Sequence, residues 1–231
     1  MLALIVPMLA FTGCGGDDEP EKIIDITVKT DGTQSIQGFN NITAITPNDF
    51  VATIKGNTVY GKHEGTFETK CTSDEGDLNL KVTVEAQHTL YVDLKYFIGM
   101  PKAEVEKILG QPTKINDKGT CTYNPIGLEE DYQVGYTDGK VEMIAIQFKF
   151  AYYQSLIDHL SDRYYPTYIK NSSALFIDAY QIEDANYAIL LQWNTKYILA
   201  AYMPMDILNN SKPRSVNAMN VNIPDVFNIK K

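Results

Sequence analysis

Positive charge is in short supply in this chain. Lys and Arg number 20 against 29 Asp and Glu, for a net charge of −9 at pH 7. A duplex nucleic-acid binder needs a basic stripe to displace counterions from phosphates. No such stripe occurs, so nucleic acid is excluded as a partner. The same balance disfavours adhesion to anionic lipid by charge alone. Histidine and cysteine are scarcer still, with three of each. His63, His88 and His159 are scattered, without the i, i+4 or Cys-x-x-Cys spacing that brings metal ligands together. Also missing are a Gly-x-Ser-x-Gly elbow, a phosphate loop and a His-Glu-x-x-His helix. The reading is therefore not an enzyme, with no catalytic residues, no metal and no cofactor.

Long apolar runs are absent as well. The longest, Leu2 to Phe11 (LALIVPMLAF), is too short for a bilayer core, which needs about 20 residues. It suits the apolar core of a secretory signal. The basic start that such signals carry is missing, which a start codon placed too far downstream would explain. Thr12 and Gly13 then precede Cys14, and Gly15-Gly16-Asp17-Asp18-Glu19 follows. Small residues, a cysteine and an acidic run resemble a bacterial lipoprotein box, with Phe11 where an aliphatic residue is usual. The resemblance implies that residues 1–13 are a signal peptide and that the Cys14 sulfur carries diacylglycerol. Residues 14–22 would then be an acidic tether to membrane lipid. It further implies an outer-membrane protein, lipid-anchored and facing the cell exterior. Lipid anchoring strengthens by about 0.8 kcal/mol per buried CH₂.

The apolar fraction, 44%, is ordinary and supports a packed core in one large or two small domains. From Ile23 the chain alternates: Ile24, Ile26 and Val28 share one face, and Phe67, Thr69 and Cys71 share another. Leu78 to Val84 alternates most cleanly. Short strands separated by Gly, Asn and Asp predict a small β-sandwich over residues 23–86. Residues 50–73, FVATIKGNTVYGKHEGTFETKCTS, with LKVTVE at 80–85, resemble a group 2 bacterial immunoglobulin-like domain. The carriers are Val51-Ala52-Thr53, Val59-Tyr60-Gly61 and Gly65-Thr66. The family's tryptophan is missing, which leaves Ile42 or Ile45 to fill the core. The resemblance implies a spacer or adhesion module without catalysis.

Residues 98–114, IGMPKAEVEKILGQPTK, predict a short helix. Pro101 suits its first turn, Ala103, Val105, Ile108 and Leu109 its apolar face, and Gly110 its end. Tyr132–Tyr136 and Val141–Phe148 flank Thr-Asp-Gly-Lys, a hairpin signal. A second helix is expected over 150–164, where Tyr153, Leu156, Ile157, Leu160 and Tyr164 form a stripe. His159 stands one step beside that stripe, a rim position. Strands follow at Ala174–Tyr180, Tyr187–Trp193 and Tyr197–Met203. Helix-plus-strands thus occurs twice, in 98–148 and 150–203. Gly99, Met100, Glu104, Val105, Leu109, Gly110 and Pro112 resemble the helix motif of the SmpA/OmlA outer-membrane lipoproteins and of the β-lactamase-inhibitor-protein-like fold. The expected fold class is an N-terminal all-β immunoglobulin-like sandwich and a C-terminal α+β domain over 87–207, its helices packed on antiparallel sheet. The tail, 208–231, reads as an irregular strap or a mobile end.

Cys71 and Cys121 fall in strands of different domains, which disfavours a disulfide and reads as two small buried hydrophobes. Glu129-Glu130-Asp131 could serve glycoside chemistry or calcium, but reads first as a solvated loop. Tyrosine is abundant, at 15 residues. Such residues bring large contact area with few rotors, yet strands favour them too. Tyr132, Tyr136, Trp193 and Tyr197 are the candidate binding surface. Their exposure on one concave face would indicate a glycan-binding accessory protein, and their burial a non-catalytic scaffold for another envelope protein.

Overall fold

The computed structural model describes residues 23–170 and 172–210. The expected signal peptide, the tether with Cys14 and the tail beyond residue 210 lie outside the described residues.

The N-terminal unit is all-β. Its strands are β1 (Ile23–Lys29), β2 (Thr33–Ser35), β3 (Thr43–Ala44), β4 (Ala52–Lys55), β5 (Thr58–Gly61), β6 (Gly65–Thr72) and β7 (Leu78–Glu85). They form a four-stranded sheet, β1-β7-β6-β3, and a three-stranded sheet, β2-β5-β4. β1 runs parallel to β7, with Ile23 opposite Asn79 and Lys29 opposite Glu85. The period-2 alternation places Ile26, Val28, Cys71, Leu80, Val82 and Val84 in one core with Val51 and Val59. Ile42 joins that core, whereas Ile45 is exposed. Gly61 must be glycine, because an added Cβ would strike the Lys29 carbonyl where the two sheets meet.

The second unit departs from expectation. Its elements are α1 (Lys102–Leu109), β8 (Lys114–Ile115), β9 (Cys121–Tyr123), β10 (Asp131–Thr137), β11 (Lys140–Lys149), α2 (Tyr153–Ser161), β12 (Tyr165–Lys170), β13 (Ser173–Ile177), β14 (Tyr187–Trp193), β15 (Tyr197–Pro204) and α3 (Met205–Asn210). The strands form one antiparallel sheet of eight, ordered β12-β13-β14-β15-β11-β10-β9-β8. The two expected helix-plus-strand units are fused where β11 pairs with β15, with Ile144 opposite Tyr202 and Phe148 opposite Ile198.

The C-terminal domain is therefore corrected from helix-packed α+β to predominantly β. Among the described residues strand outweighs helix, 46% to 17%. Two physical reasons stand out. The helices are short: α1 has 8 residues and is stopped by Gly110 at φ 82°, and α2 has 9. The central strands are buried on both faces, as β15 shows with six consecutive buried residues, Ile198 to Met203. Such unbroken apolar runs mark strands covered on two sides. One face joins Val105, Leu109, Leu156 and Leu160 of α1 and α2 in the main core. The other face forms a second cluster with Met205 and Leu208 of α3. No helix among the described residues is long and apolar enough to cross a membrane.

Candidate functional site

The four candidate aromatic residues do not form one exposed face. Tyr132 and Tyr136 lie on β10, Trp193 ends β14 and Tyr197 begins β15. Tyr132 is 4% exposed and belongs to the main core. Burial, with the nearby Glu129 carboxylate, pushes its phenol well above the ordinary range. Tyr136 is half-buried, its hydroxyl 2.7 Å from that of Tyr123. Trp193 is half-buried and meets the Tyr153 ring edge-on at 5.4 Å. Tyr197 stands opposite Lys149 and precedes buried Ile198, so alternation directs it to the other side of the sheet. The sequence pattern locates these strands but not the side on which the helices lie.

The other singled-out residues are also drawn into structure. The Glu129 carboxylate accepts the Ile126 and Gly127 N–H groups, each at 2.7 Å. Glu129 and Asp131 are buried, and Glu130 pairs with Lys149 at 3.5 Å. The acidic trio is thus a loop organised around a buried carboxylate rather than a solvated run. Cys71 and Cys121 are both free and buried. Among the described residues no cluster of three His, Cys, Asp or Glu is placed to hold a metal ion.

The densest polar constellation is the junction of the two units, which sequence reasoning missed. It is assembled by the segment after β7 and the end of α2. Gln87 Nε2 donates to the Thr30 carbonyl, and the Gln87 N–H donates to Thr30 Oγ1 at 3.2 Å. The His88 N–H donates to Asp162 Oδ2 at 2.6 Å, and the Glu64 N–H donates to the Asp162 carbonyl at 2.7 Å. Arg163 is 5% exposed. Its Nη1 donates to the carbonyls of His88 and His159, both at 2.8 Å. Its Nε lies 2.6 Å from Glu64 Oε2, close enough for an ion pair but off the hydrogen-bond direction.

Beneath this clamp a buried phenol network fixes residues 91–97 to the sheet. Tyr164 donates to Asp93, whose carboxylate oxygens lie 2.8 and 2.6 Å from its hydroxyl. The Tyr91 and Tyr202 hydroxyls are 2.7 Å apart. Burial drives the phenol of Tyr164 far above its ordinary value, with the Asp93 charge adding to it. His159 is not at a rim. It is fully buried, its ring 4.2 Å from that of Tyr91, and its Nδ1 accepts the Leu90 N–H at 3.2 Å. That bond leaves the neutral ring's proton on Nε2. Burial and then the Arg163 charge lower its pKa to about 4. The local cause is the 87–94 segment, which lies over α2 and converts its flank into interior.

A shorter aromatic contact holds the rim of the junction. His63 stacks on Phe50 at 4.2 Å, Tyr180 meets Phe50 edge-on at 5.3 Å, and the Tyr180 hydroxyl donates to the Asp49 carbonyl at 3.1 Å. These groups satisfy one another and hold two units together. No one segment signals the junction, because Glu64, His88 and Arg163 belong to distant parts of the chain. No family model matches the chain, and no curated protein or solved structure matches it.

Proposed function

We propose that the protein is a lipid-anchored surface lipoprotein that serves as a non-catalytic binding or scaffold module for another envelope protein. Cys14 carries the lipid, residues 14–22 form the tether, and an immunoglobulin-like unit spaces the second unit from the membrane. The observation that carries the scaffold reading is the burial of Tyr132, with Tyr136 and Trp193 packed on the same core. Rings engaged inside a protein are not a platform for sugars. The clamp at Arg163 supports it too, since a rigid pair of units holds a bound partner at a set distance from the membrane.

The test uses the chain from Asp17 onward, without lipid, exposed to solubilised envelope proteins and to a glycan panel. Recovery of one envelope protein at stoichiometric yield is expected. Glycan binding that disappears on substitution of Tyr136 or Trp193 would overturn the scaffold reading and make the protein a carbohydrate-binding accessory. The anchor is checked separately: Cys14→Ser should move the full chain from the membrane fraction to the soluble fraction and abolish labelling with radioactive fatty acid.

A further inference from the structure

Four strands share one end of the eight-stranded sheet: β10 begins there at Asp131, β11 ends at Lys149, β14 ends at Trp193 and β15 begins at Tyr197. The register brings these ends together, with Asp131 opposite Gln147, Lys149 opposite Tyr197 and Trp193 opposite Ile198. The β9–β10 loop and the start of α2 join them. The Glu130 N–H donates to the Gln147 carbonyl, and the Phe150 N–H to the Lys196 carbonyl, both at 2.7 Å. The junction with the first unit is at the opposite end, where α2 runs into the Arg163 clamp and β13 leads to Tyr180. The length of β14, about 20 Å, separates the two ends.

Apolar side chains protrude from the far end. Ile126 is 64% exposed, Leu128 53% and Phe150 36%. An aromatic shoulder stands behind them: the Phe150 ring lies 5.4 Å from Tyr153, and the Tyr153 ring 5.4 Å from Trp193. The loop that lifts Ile126 and Leu128 is held in shape by the Glu129 carboxylate beneath it. An added Cβ on Gly127 would lie 2.8 Å from Glu129 Oε2, so a glycine is what admits that carboxylate. Charge is sorted as well. Residues 124–131, 149–153 and 193–197 contain the acids Glu129, Glu130 and Asp131 and the bases Lys149 and Lys196. Glu129 and Asp131 are buried and Glu130 is paired with Lys149, whereas both lysines reach solvent.

We infer that this end of the second unit inserts into the surface of a lipid bilayer. The order of its groups follows the polarity gradient of a bilayer. Aliphatic tips stand outermost and reach the acyl boundary. Tyrosine and tryptophan rings come next, at the level where such rings collect in membranes. Two lysines flank them, with long apolar stems and ammonium groups that can meet lipid phosphates. Carboxylates, which those phosphates would repel, are withdrawn. A loop fixed in advance also loses little conformational freedom on insertion. A protein cleft could take the aliphatic tips, but it would not require this layering. Charge attraction is not the driving term in a chain of net charge −9, so an uncharged lipid surface is enough. The contact is additional to lipid on Cys14 and independent of it. The chain enters the first unit at Ile23, and β1 and β7 carry their other ends, Lys29 and Glu85, toward the junction.

The test is made on the chain from Asp17 to Lys231, without lipid, and on phosphatidylcholine vesicles. Trp193 is the one tryptophan of the sequence, so its emission reports on this end alone. The chain should sediment with the vesicles, and vesicles with brominated acyl chains should quench Trp193. Ile126→Ser combined with Leu128→Ser should weaken sedimentation at least about tenfold, since each removes several buried carbons. Ile45→Ser, at an equally exposed site in the first unit, should leave it unchanged. Failure of the parent chain to sediment would overturn the inference. So would sedimentation without quenching, which would put the lipid contact elsewhere, or an equal loss in Ile45→Ser. Recovery of an envelope protein that depends on Ile126 and Leu128, with no binding to vesicles, would make this end a protein-docking surface instead. The quenching is read on the parent chain and does not depend on how the variants fold.

Discussion

A neutral imidazole sits where an imidazolium would be costly: His159 has no solvent exposure and lies beside the Arg163 guanidinium. Its pKa is lowered to about 4, against 6.5 in the unfolded chain, chiefly through burial. Between those values the unfolded state binds the proton and the folded state does not, so stability rises with pH there. The contribution is complete above pH 6.5 and is lost as pH falls toward 4, up to about 3 kcal/mol in all. His63, lowered by burial as well, acts in the same direction. Urea unfolding at pH 7 and at pH 4.5 checks this. His159→Gln, which keeps an acceptor for the Leu90 N–H, should lose less stability between the two than the parent chain. An identical loss in both would sink the assignment. The helical stripe Leu156, Leu160 and Tyr164 was legible from spacing, and all three are buried. That His159 joins them was not, because the segment that covers it comes from residues about 70 positions away in sequence.

At the scale of elements, local chemistry was easiest to read where a turn dictates its own residues. Thr137-Asp138-Gly139-Lys140 closes the β10–β11 hairpin with Asp138 at φ 50° and Gly139 at φ 74°, the left-handed pair that a two-residue turn requires. Gly139→Ala should therefore cost about 1 kcal/mol and lower Tm by about 2–4 °C. Calorimetry of the variant reads this directly, and an unchanged Tm would mean that the hairpin has another turn conformation. β14 and β15 were similarly plain, since Asn194-Thr195-Lys196 separates two β-rich runs. Illegible was the pairing of β11 with β15, which makes one sheet out of two expected units. Nothing local selects that partner. It is chosen by apolar strands that bury both faces, as Ala145 and Ile146 do on successive positions, and by closure of a long loop. That Tyr132, Tyr136, Trp193 and Tyr197 do not share one exposed face was illegible for a related reason: alternation tells which residues share a face, not which face a helix will cover.

Taken whole, the molecule is two β units joined by a buried polar clamp. Arg163 binds the carbonyls of His88 and His159 and faces Glu64 of the other unit. Arg163→Met should leave those carbonyls buried without a donor and cost about 3–5 kcal/mol. It should also divide a single cooperative unfolding transition into two, one per unit, in differential scanning calorimetry. One transition of undiminished area would show that the units are coupled by other contacts.

The parallel pairing of β1 and β7 has a mechanical consequence. A pull on the chain at Ile23 is resisted by the rest of the unit, which leaves through the far end of β7 at Glu85. The load runs along both strands, so every hydrogen bond between Ile23–Asn79 and Lys29–Glu85 is sheared at once. In an antiparallel terminal hairpin the same pull would open the bonds singly, like a zipper. Anchoring at the N-terminus, as proposed above, would load this seam in shear rather than in peeling.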